Sequence, residues 1–117
     1  MPHPPLTSSV QSTTTDVHGR TLNSAGVHHF IIDGPSRPNE EIVSMDAFLA
    51  GISSCATHLI EDFAEEEGIP FRKARVSIRA ERPGDAPERF ERIDLHIQLT
   101  GPSPQQAEHL VERFKGR

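Results

Sequence analysis

Cys55 is the sole cysteine of the 117-residue chain, and it stands in the most apolar helix the sequence can form. Around it runs Ser44-Met45-Asp46-Ala47-Phe48-Leu49-Ala50-Gly51-Ile52-Ser53-Ser54-Cys55-Ala56-Thr57-His58-Leu59-Ile60. Met45, Phe48, Leu49, Ile52, Ala56, Leu59, Ile60 and Phe63 recur at helical spacing, and Cys55 falls on that stripe. Ser53, Ser54 and Thr57 leave room beside the sulfur. A lone cysteine on an apolar stripe is usually a small hydrophobe. Its other role is chemical: a thiolate is a nucleophile and a redox group, open to oxidation to a sulfenic acid. That chemistry needs a thiol ionised near neutral pH, and therefore a nearby cation. Cys55 lies about three turns into its helix, too deep for the amino-terminal dipole to help much, so the cation must come from another element. His58 shares the helical face of Cys55; it either stabilises a thiolate or bonds a neighbouring backbone, and the plainer second role is preferred. Phe48, Ile52 and Leu59 supply an apolar wall, which gains from burying alkyl surface.

The elements that position Cys55 follow from periodicity and punctuation. Residues 1–13, rich in Pro, Ser and Thr, read as a loose arm or a weak edge strand, ahead of a single domain over 14–117. Val27-His28-His29-Phe30-Ile31-Ile32-Asp33 is a β-like run closed by Gly34-Pro35 and Arg37-Pro38-Asn39. A weaker strand around 14–22 is expected to pair with it across Asn23-Ser24-Ala25-Gly26. The first long helix is expected over 45–67, with Ser44 as N-cap, Gly68 as stop and Pro70 just beyond. Two strands then alternate with period two. Ala74, Val76, Ile78 and Ala80 face one way and Lys73, Arg75, Ser77, Arg79 and Glu81 the other; Ile93, Leu95, Ile97 and Leu99 oppose Asp94, His96 and Gln98. One polar and one apolar face suit an antiparallel sheet with helices on one side. A last helix opens with Ser103 as N-cap, Pro104 at the first position and Gln106 completing a capping box. The order is β-β-α-β-β-α, an α+β domain with a central, buried, Cys-bearing helix. From Ala47 to Ile52 no face of that helix is polar, so the stretch needs cover all round. A second copy of the chain is the simplest cover, and a homodimer with interleaved helices is expected; the alternative is cover by the last helix of the same chain.

A net charge of -5 and a pI near 5.8 oppose nucleic-acid binding, which needs a basic face. The richest apolar run is interrupted by Asp46 and His58 and is too mixed to span a bilayer. Met1-Pro2-His3-Pro4-Pro5 lacks the pattern of a signal peptide, and one cysteine suits a reducing cytoplasm. The seven histidines show no metal-ligand spacing: His28 and His29 point to opposite faces of a strand, and His96 and His109 lie on different elements. Glu65-Glu66-Glu67 reads as a solvated helix end. With no phosphate-binding glycine loop and no Ser-His-Asp pattern, neither metal nor cofactor is expected.

The stretch Asn39-Glu40-Glu41-Ile42-Val43-Ser44-Met45-Asp46-Ala47-Phe48-Leu49-Ala50-Gly51-Ile52-Ser53-Ser54-Cys55 resembles the central helix of OsmC-like proteins, the osmotically inducible and organic hydroperoxide resistance group. Gly68-Ile69-Pro70, the alternating strand over 72–80, residues 90–101 and the last helix are similar too, so the likeness covers roughly 18–117. It implies an intertwined dimer with active sites at the interface and thiol-based reduction of organic hydroperoxides, in defence against oxidative stress. Cys55 is then the peroxidatic nucleophile. Arg20, in Val17-His18-Gly19-Arg20, lies where the family keeps an arginine that contacts the reactive sulfur, and is the implied thiolate stabiliser; its other reading is a solvent-facing strand residue. Two departures stand out. The glutamate that holds this arginine in the hydroperoxide resistance branch is replaced by Met45. Asp46, half a revolution from the sulfur, either acts on the site of a partner chain or favours the helix amino terminus, the second being preferred, and Glu40 or Glu41 in the preceding loop are the substitutes. The family's second cysteine, followed by Pro after the last helix, does not occur before Arg117. Two readings stay open: a one-cysteine enzyme reduced by an external thiol (a lipoyl or thioredoxin-like protein, or a small thiol), or a chain truncated before its resolving residue, a Cys or a selenocysteine whose codon was taken as a stop. A competing function from another class is a dimer of this fold without turnover, binding a small apolar ligand or sensing redox state.

Overall fold

The computed structural model of the chain describes residues 3–117; Met1 and Pro2, the first residues of the expected arm, lie outside them. Its elements run β1 (Gln11–Thr14), β2 (Arg20–Ala25), β3 (His28–Asp33), α1 (Ser44–Glu66), β4 (Lys73–Glu81), β5 (Arg92–Thr100) and α2 (Pro104–Lys115). The order is β-β-β-α-β-β-α, one strand more than expected, and the strands form two antiparallel sheets, β1-β2-β3 and β4-β5, rather than one. Each strand pairs with its neighbour in sequence, the pairing that costs least loop-closure entropy, and α1 separates the two groups. The chain divides into two compact units, Met1–Ala47 and Phe48–Arg117.

In the first unit, pairing starts at Gln11, which faces Ser24 across the β1-β2 ladder, so the expected boundary at residue 14 falls inside ordered structure. The β2-β3 ladder runs from Arg20↔Asp33 to Ala25↔His28. Asn23, Ser24 and Ala25, expected in a loop, belong to β2, and the turn is only Gly26-Val27. Asn23 explains the difference. Its buried amide accepts from Ser12 Oγ at 2.6 Å and donates to the Phe30 carbonyl at 3.2 Å, so its polar atoms are satisfied across all three strands. The fully buried residues of this unit are Asn23 and Asp33; among its described residues no apolar side chain is buried.

The second unit holds the hydrophobic core. Ile60, Phe63, Ala64 and Leu110 are buried together, with Leu59, Ile69, Phe71, Ile97, Leu99 and Phe114 packed against them. β4 and β5 pair from Lys73↔Thr100 to Glu81↔Arg92, and the polar side chains of β4 alternate outward as expected. The helices cover only the Ile97–Leu99 end of the apolar face; Ile93, at the other end, is left exposed. α2 carries the expected capping box: Gln106 N–H donates to Ser103 Oγ at 3.2 Å, and Ser103 N–H donates to Gln106 Oε1 at 2.9 Å. The carbonyl of Val43, not Ser44, accepts the first helical bond of α1, from Ala47 N–H. The helix closes with Gly68 at φ +64° and an Ile69 N–H bond to the Ala64 carbonyl, the left-handed ending that glycine makes inexpensive. None of the residues from Ala47 to Ile52 is fully buried, so the cover expected all round this stretch is not supplied within one chain. No helix among the described residues is long and apolar enough to cross a membrane.

The acidic end of α1 is fastened rather than merely solvated. Arg113 donates to Glu67 at 2.8 Å and to Glu66 at 3.1 Å, and its guanidinium lies 4.0 Å from the centre of the Phe63 ring. His109 Nε2 lies 2.7 Å from Glu67 Oε1. Arg113, then His109, hold the Glu67 carboxyl below its ordinary value. These contacts pin α2 over the core, and Leu110 is their apolar counterpart. Leu110→Ala is expected to lose about 2–5 kcal/mol of stability, read as a lower urea midpoint with an unchanged slope.

Candidate functional site

The Cys55 thiol is exposed, in contrast to the buried position expected for it. Helical geometry explains why. The buried residues of α1 are Ala56, Ile60, Phe63 and Ala64, and at 3.6 residues per turn Cys55 stands roughly a third of a turn away from that stripe. The apolar residues of α1 therefore form two stripes, of which the unit's own core covers one. Phe48, Ile52, Cys55 and Leu59 share the other. Leu59 and Ile52 are half-buried, while Phe48 is 52% exposed. Phe48 stacks on Phe90, with ring centroids 5.8 Å apart and planes 17° from parallel. The three residues expected to form an apolar wall thus share one stripe, with Phe90 stacked at its end. A phenylalanine inside the polar stretch between β4 and β5 was the available signal for it.

The hydroxyls beside Cys55 are directed to the helix itself. Ser53 Oγ donates to the Ala50 carbonyl at 3.3 Å and Thr57 Oγ1 to the Ser53 carbonyl at 2.7 Å, the back-bonding open to these residues inside a helix. His58 is exposed. Asp46 stands in the first turn of α1, where an acid favours the helix dipole.

Arg20, in the first unit, is far from a plain solvent-facing strand residue. It stands directly opposite Asp33 in the β2-β3 ladder. Its Nε donates to Asp33 Oδ1 at 2.8 Å and its Nη2 to Asp33 Oδ2 at 2.9 Å, a bidentate pair. A further bond runs from Nη2 to Glu40 Oε1 at 3.1 Å. Asp33 Oδ2 also accepts the backbone N–H groups of Glu40 at 3.0 Å and Glu41 at 2.8 Å. The Asp33 side chain is wholly buried, that of Arg20 about a quarter exposed and that of Glu40 mostly exposed. Hydrogen bonding from Arg20 chiefly, helped by the two backbone N–H groups, holds the Asp33 carboxyl far below the usual carboxylate range; Asp33 in turn raises Arg20. Of the two loop glutamates expected to support Arg20, Glu40 does so through its carboxylate, whereas Glu41 contributes only its backbone. Asp33 is the partner that sequence reasoning missed.

The backbone around Arg20 is equally constrained. Gly19 has φ +90°, and a Cβ there would collide with the Arg37 carbonyl; Gly34 N–H donates to the Gly19 carbonyl at 2.8 Å. Only glycine fits that approach. A cavity of about 260 Å³ beside this turn is lined by Arg20, Val17, His18 and Thr21 among others. Arg20 and Cys55 fall in different compact units. Among the described residues no three His, Cys, Asp or Glu side chains gather as a metal ion would require.

The family model of OsmC-like proteins matches residues 37–117. No curated protein matches the chain in sequence. Among solved structures, the OsmC-like protein from Mycoplasma pneumoniae superposes with a TM-score of 0.82 at 16% identity, covering 96% of this chain and 82% of that one. An organic hydroperoxide resistance protein OsmC from Legionella pneumophila gives 0.68 at 16% identity, with 97% and 85% covered. The organic hydroperoxide resistance protein OhrB of Bacillus subtilis gives 0.64 at 18% identity, with 95% and 84% covered. At these identities the likeness is one of fold.

The depressed Asp33 carboxyl sets a pH dependence. A carboxylate held below its unfolded value stabilises the fold fully above that value, near 3.9, and loses the contribution as pH falls toward the folded one. The urea midpoint of wild type is expected to exceed that of Asp33→Asn by a constant margin from pH 7 to about 5, and the margin is expected to shrink on further acidification. A margin that grew on acidification would contradict this.

Proposed function

We propose, from the premise that the chain belongs to the OsmC-like protein family, that it is a thiol-dependent peroxidase reducing organic hydroperoxides in defence against oxidative stress. The observation that carries this reading is the exposed, lone thiol of Cys55 on an apolar, uncovered face of the central helix of that fold. The Cys55 thiolate attacks the outer peroxide oxygen; the O–O bond breaks, the alkoxide takes a proton and leaves as an alcohol, and the sulfur is oxidised to a sulfenic acid. One external thiol then condenses with the sulfenic acid, releasing water, and a second regenerates Cys55 and carries off a disulfide. The reductant comes from outside these residues, because the sequence has no second cysteine. The reducing cytoplasm is the compartment that suits such a thiol.

Arg20 is the cation in this scheme. Its fork uses Nε and Nη2 on Asp33 and Glu40, and among the described residues Nη1 has no partner, so it keeps N–H groups for an anion. Phe48 and Phe90, with Ile52 and Leu59, receive the alkyl group, since burying apolar surface favours the larger substrate. The working form is a homodimer. A first unit whose described residues include no buried apolar side chain, and a helix with one uncovered stripe, supply surfaces that a second copy would cover. Light scattering is expected to give twice the 12.9 kDa of the chain; a monomer at micromolar concentration would count against this.

The function is tested by brief exposure to an alkyl hydroperoxide with a sulfenic-acid trap, followed by intact mass. Stoichiometric trapping at Cys55 is expected, faster with a bulky alkyl hydroperoxide than with hydrogen peroxide, and Phe48→Ala or Phe90→Ala should narrow that preference. A thiol that stays unmodified would sink the peroxidase reading and favour a dimer that binds a small apolar ligand.

A further inference from the structure

On the outer face of β4-β5, we infer that Lys73 and Arg75, with Gln98 and Thr100, form a binding site for the phosphate group of a small phosphate ester. The register sets Lys73 opposite Thr100 and Arg75 opposite Gln98. The four side chains therefore stand at the corners of a patch about 7 Å long along the strands and about 5 Å wide across them. All four are exposed. They line a groove of about 510 Å³, to which Leu99 also contributes. None of these residues belongs to the peroxidase scheme.

Charge is sorted along this face. At its far end Arg79 pairs with Glu81 at 3.2 Å and Arg92 with Asp94 at 2.7 Å, so the four charges there cancel. Ser77 and His96 come next. At the near end the residues opposite the two cations are a neutral amide and a hydroxyl, and among the described residues neither Lys73 nor Arg75 has a carboxylate within ion-pair distance. In a chain of net charge -5, that end reverses the sign locally. It is also the end backed by the core, through Ile97, Leu99 and Phe71. Arg72 N–H donates to the Thr100 carbonyl at 2.9 Å. Gly101, at φ +116°, lies so close to the backbone of Phe71 and Arg72 that a Cβ would meet them at 3.0 and 2.9 Å. The strand ends that carry the four side chains are thus fixed before a ligand arrives, which lowers the cost of binding.

The donor set selects the anion. Arg75 offers a planar fork, Lys73 a point charge, Thr100 an O–H and Gln98 an amide N–H. A phosphate monoester carries nearly two negative charges at pH 7 and three acceptor oxygens, which matches both cations and leaves acceptors for the hydroxyl and the amide. A lone carboxylate carries one charge and leaves one cation unmatched. The groove has room beyond the phosphate for the body of the ester. Cations also guard exposed strand edges, and that role alone would bind nothing.

The test is titration of the ¹⁵N-labelled full-length protein with glycerol 3-phosphate at constant ionic strength. The backbone amides of Lys73, Arg75, Gln98 and Thr100 are expected to shift together and saturate, with a Kd on the order of 1 mM. Lys73→Gln and Arg75→Gln should each weaken binding about tenfold, the order of one lost charge-assisted hydrogen bond. Arg79→Gln should change it less than about twofold, because Arg79 stands more than a Debye length from Arg75 along the strand. Shifts that stay linear, or that spread evenly over every exposed cation, would overturn the inference and leave Lys73 and Arg75 as guards of the strand ribbon. Tighter binding of succinate would overturn it in favour of a dicarboxylate, and equal binding of inorganic phosphate would remove the ester from it. Arg75→Lys keeps the charge and loses the fork; a several-fold loss of affinity supports the phosphate geometry, and an undiminished affinity refutes it.

Discussion

One buried carboxylate organises the first unit of this protein. Asp33 ends β3 opposite Arg20 and accepts four N–H groups from two other segments, the start of β2 and the lead-in to α1. Burying a lone carboxylate is costly unless every lone pair is engaged, and here the backbone is bent to engage them. The turn at Gly19 and the approach of the Arg37 carbonyl belong to the same arrangement. The Asp33 N–H donates to the Ile42 carbonyl, tying β3 to the residues just before the cysteine-bearing helix. Charge and hydrogen bonding, rather than apolar packing, hold this part of the chain in register.

The second unit poses the opposite problem, an excess of apolar surface over cover. α1 has two apolar stripes and one core; the β4-β5 sheet is covered at one end only. The uncovered stripe is where Cys55, Phe48 and Ile52 lie. An apolar surface left open in this way is stabilised by whatever covers it.

Local signals were legible in the sequence, and signals that depend on distant partners were not. The capping box of α2, the glycine stop of α1 and the alternation of β4 are written within a few residues of where they act, and each was readable there. Asn23 looked like a loop residue because its polar amide is satisfied only through Ser12 and Phe30, on other strands. Asp33 was legible as the end of a strand, but nothing in the local pattern reveals its cross-strand arginine. Helical periodicity found the apolar residues of α1 correctly; it has no means of telling which stripe the rest of the chain covers, and so Cys55 was expected inside. Glu66 and Glu67 looked like a solvated end for the same reason, since Arg113 is remote in sequence.

The stacked pair Phe48–Phe90 also has a spectroscopic consequence. The chain contains neither tryptophan nor tyrosine, so all near-ultraviolet absorption by side chains comes from six phenylalanines. Phe63, Phe71 and Phe114 belong to the core, and Phe48 and Phe90 form the stack on the cysteine-bearing face. The phenylalanine fine structure in near-ultraviolet circular dichroism therefore comes from three core rings, the stacked pair and the exposed Phe30, and occupation of the stack by a ligand perturbs an optical signal free of tryptophan and tyrosine.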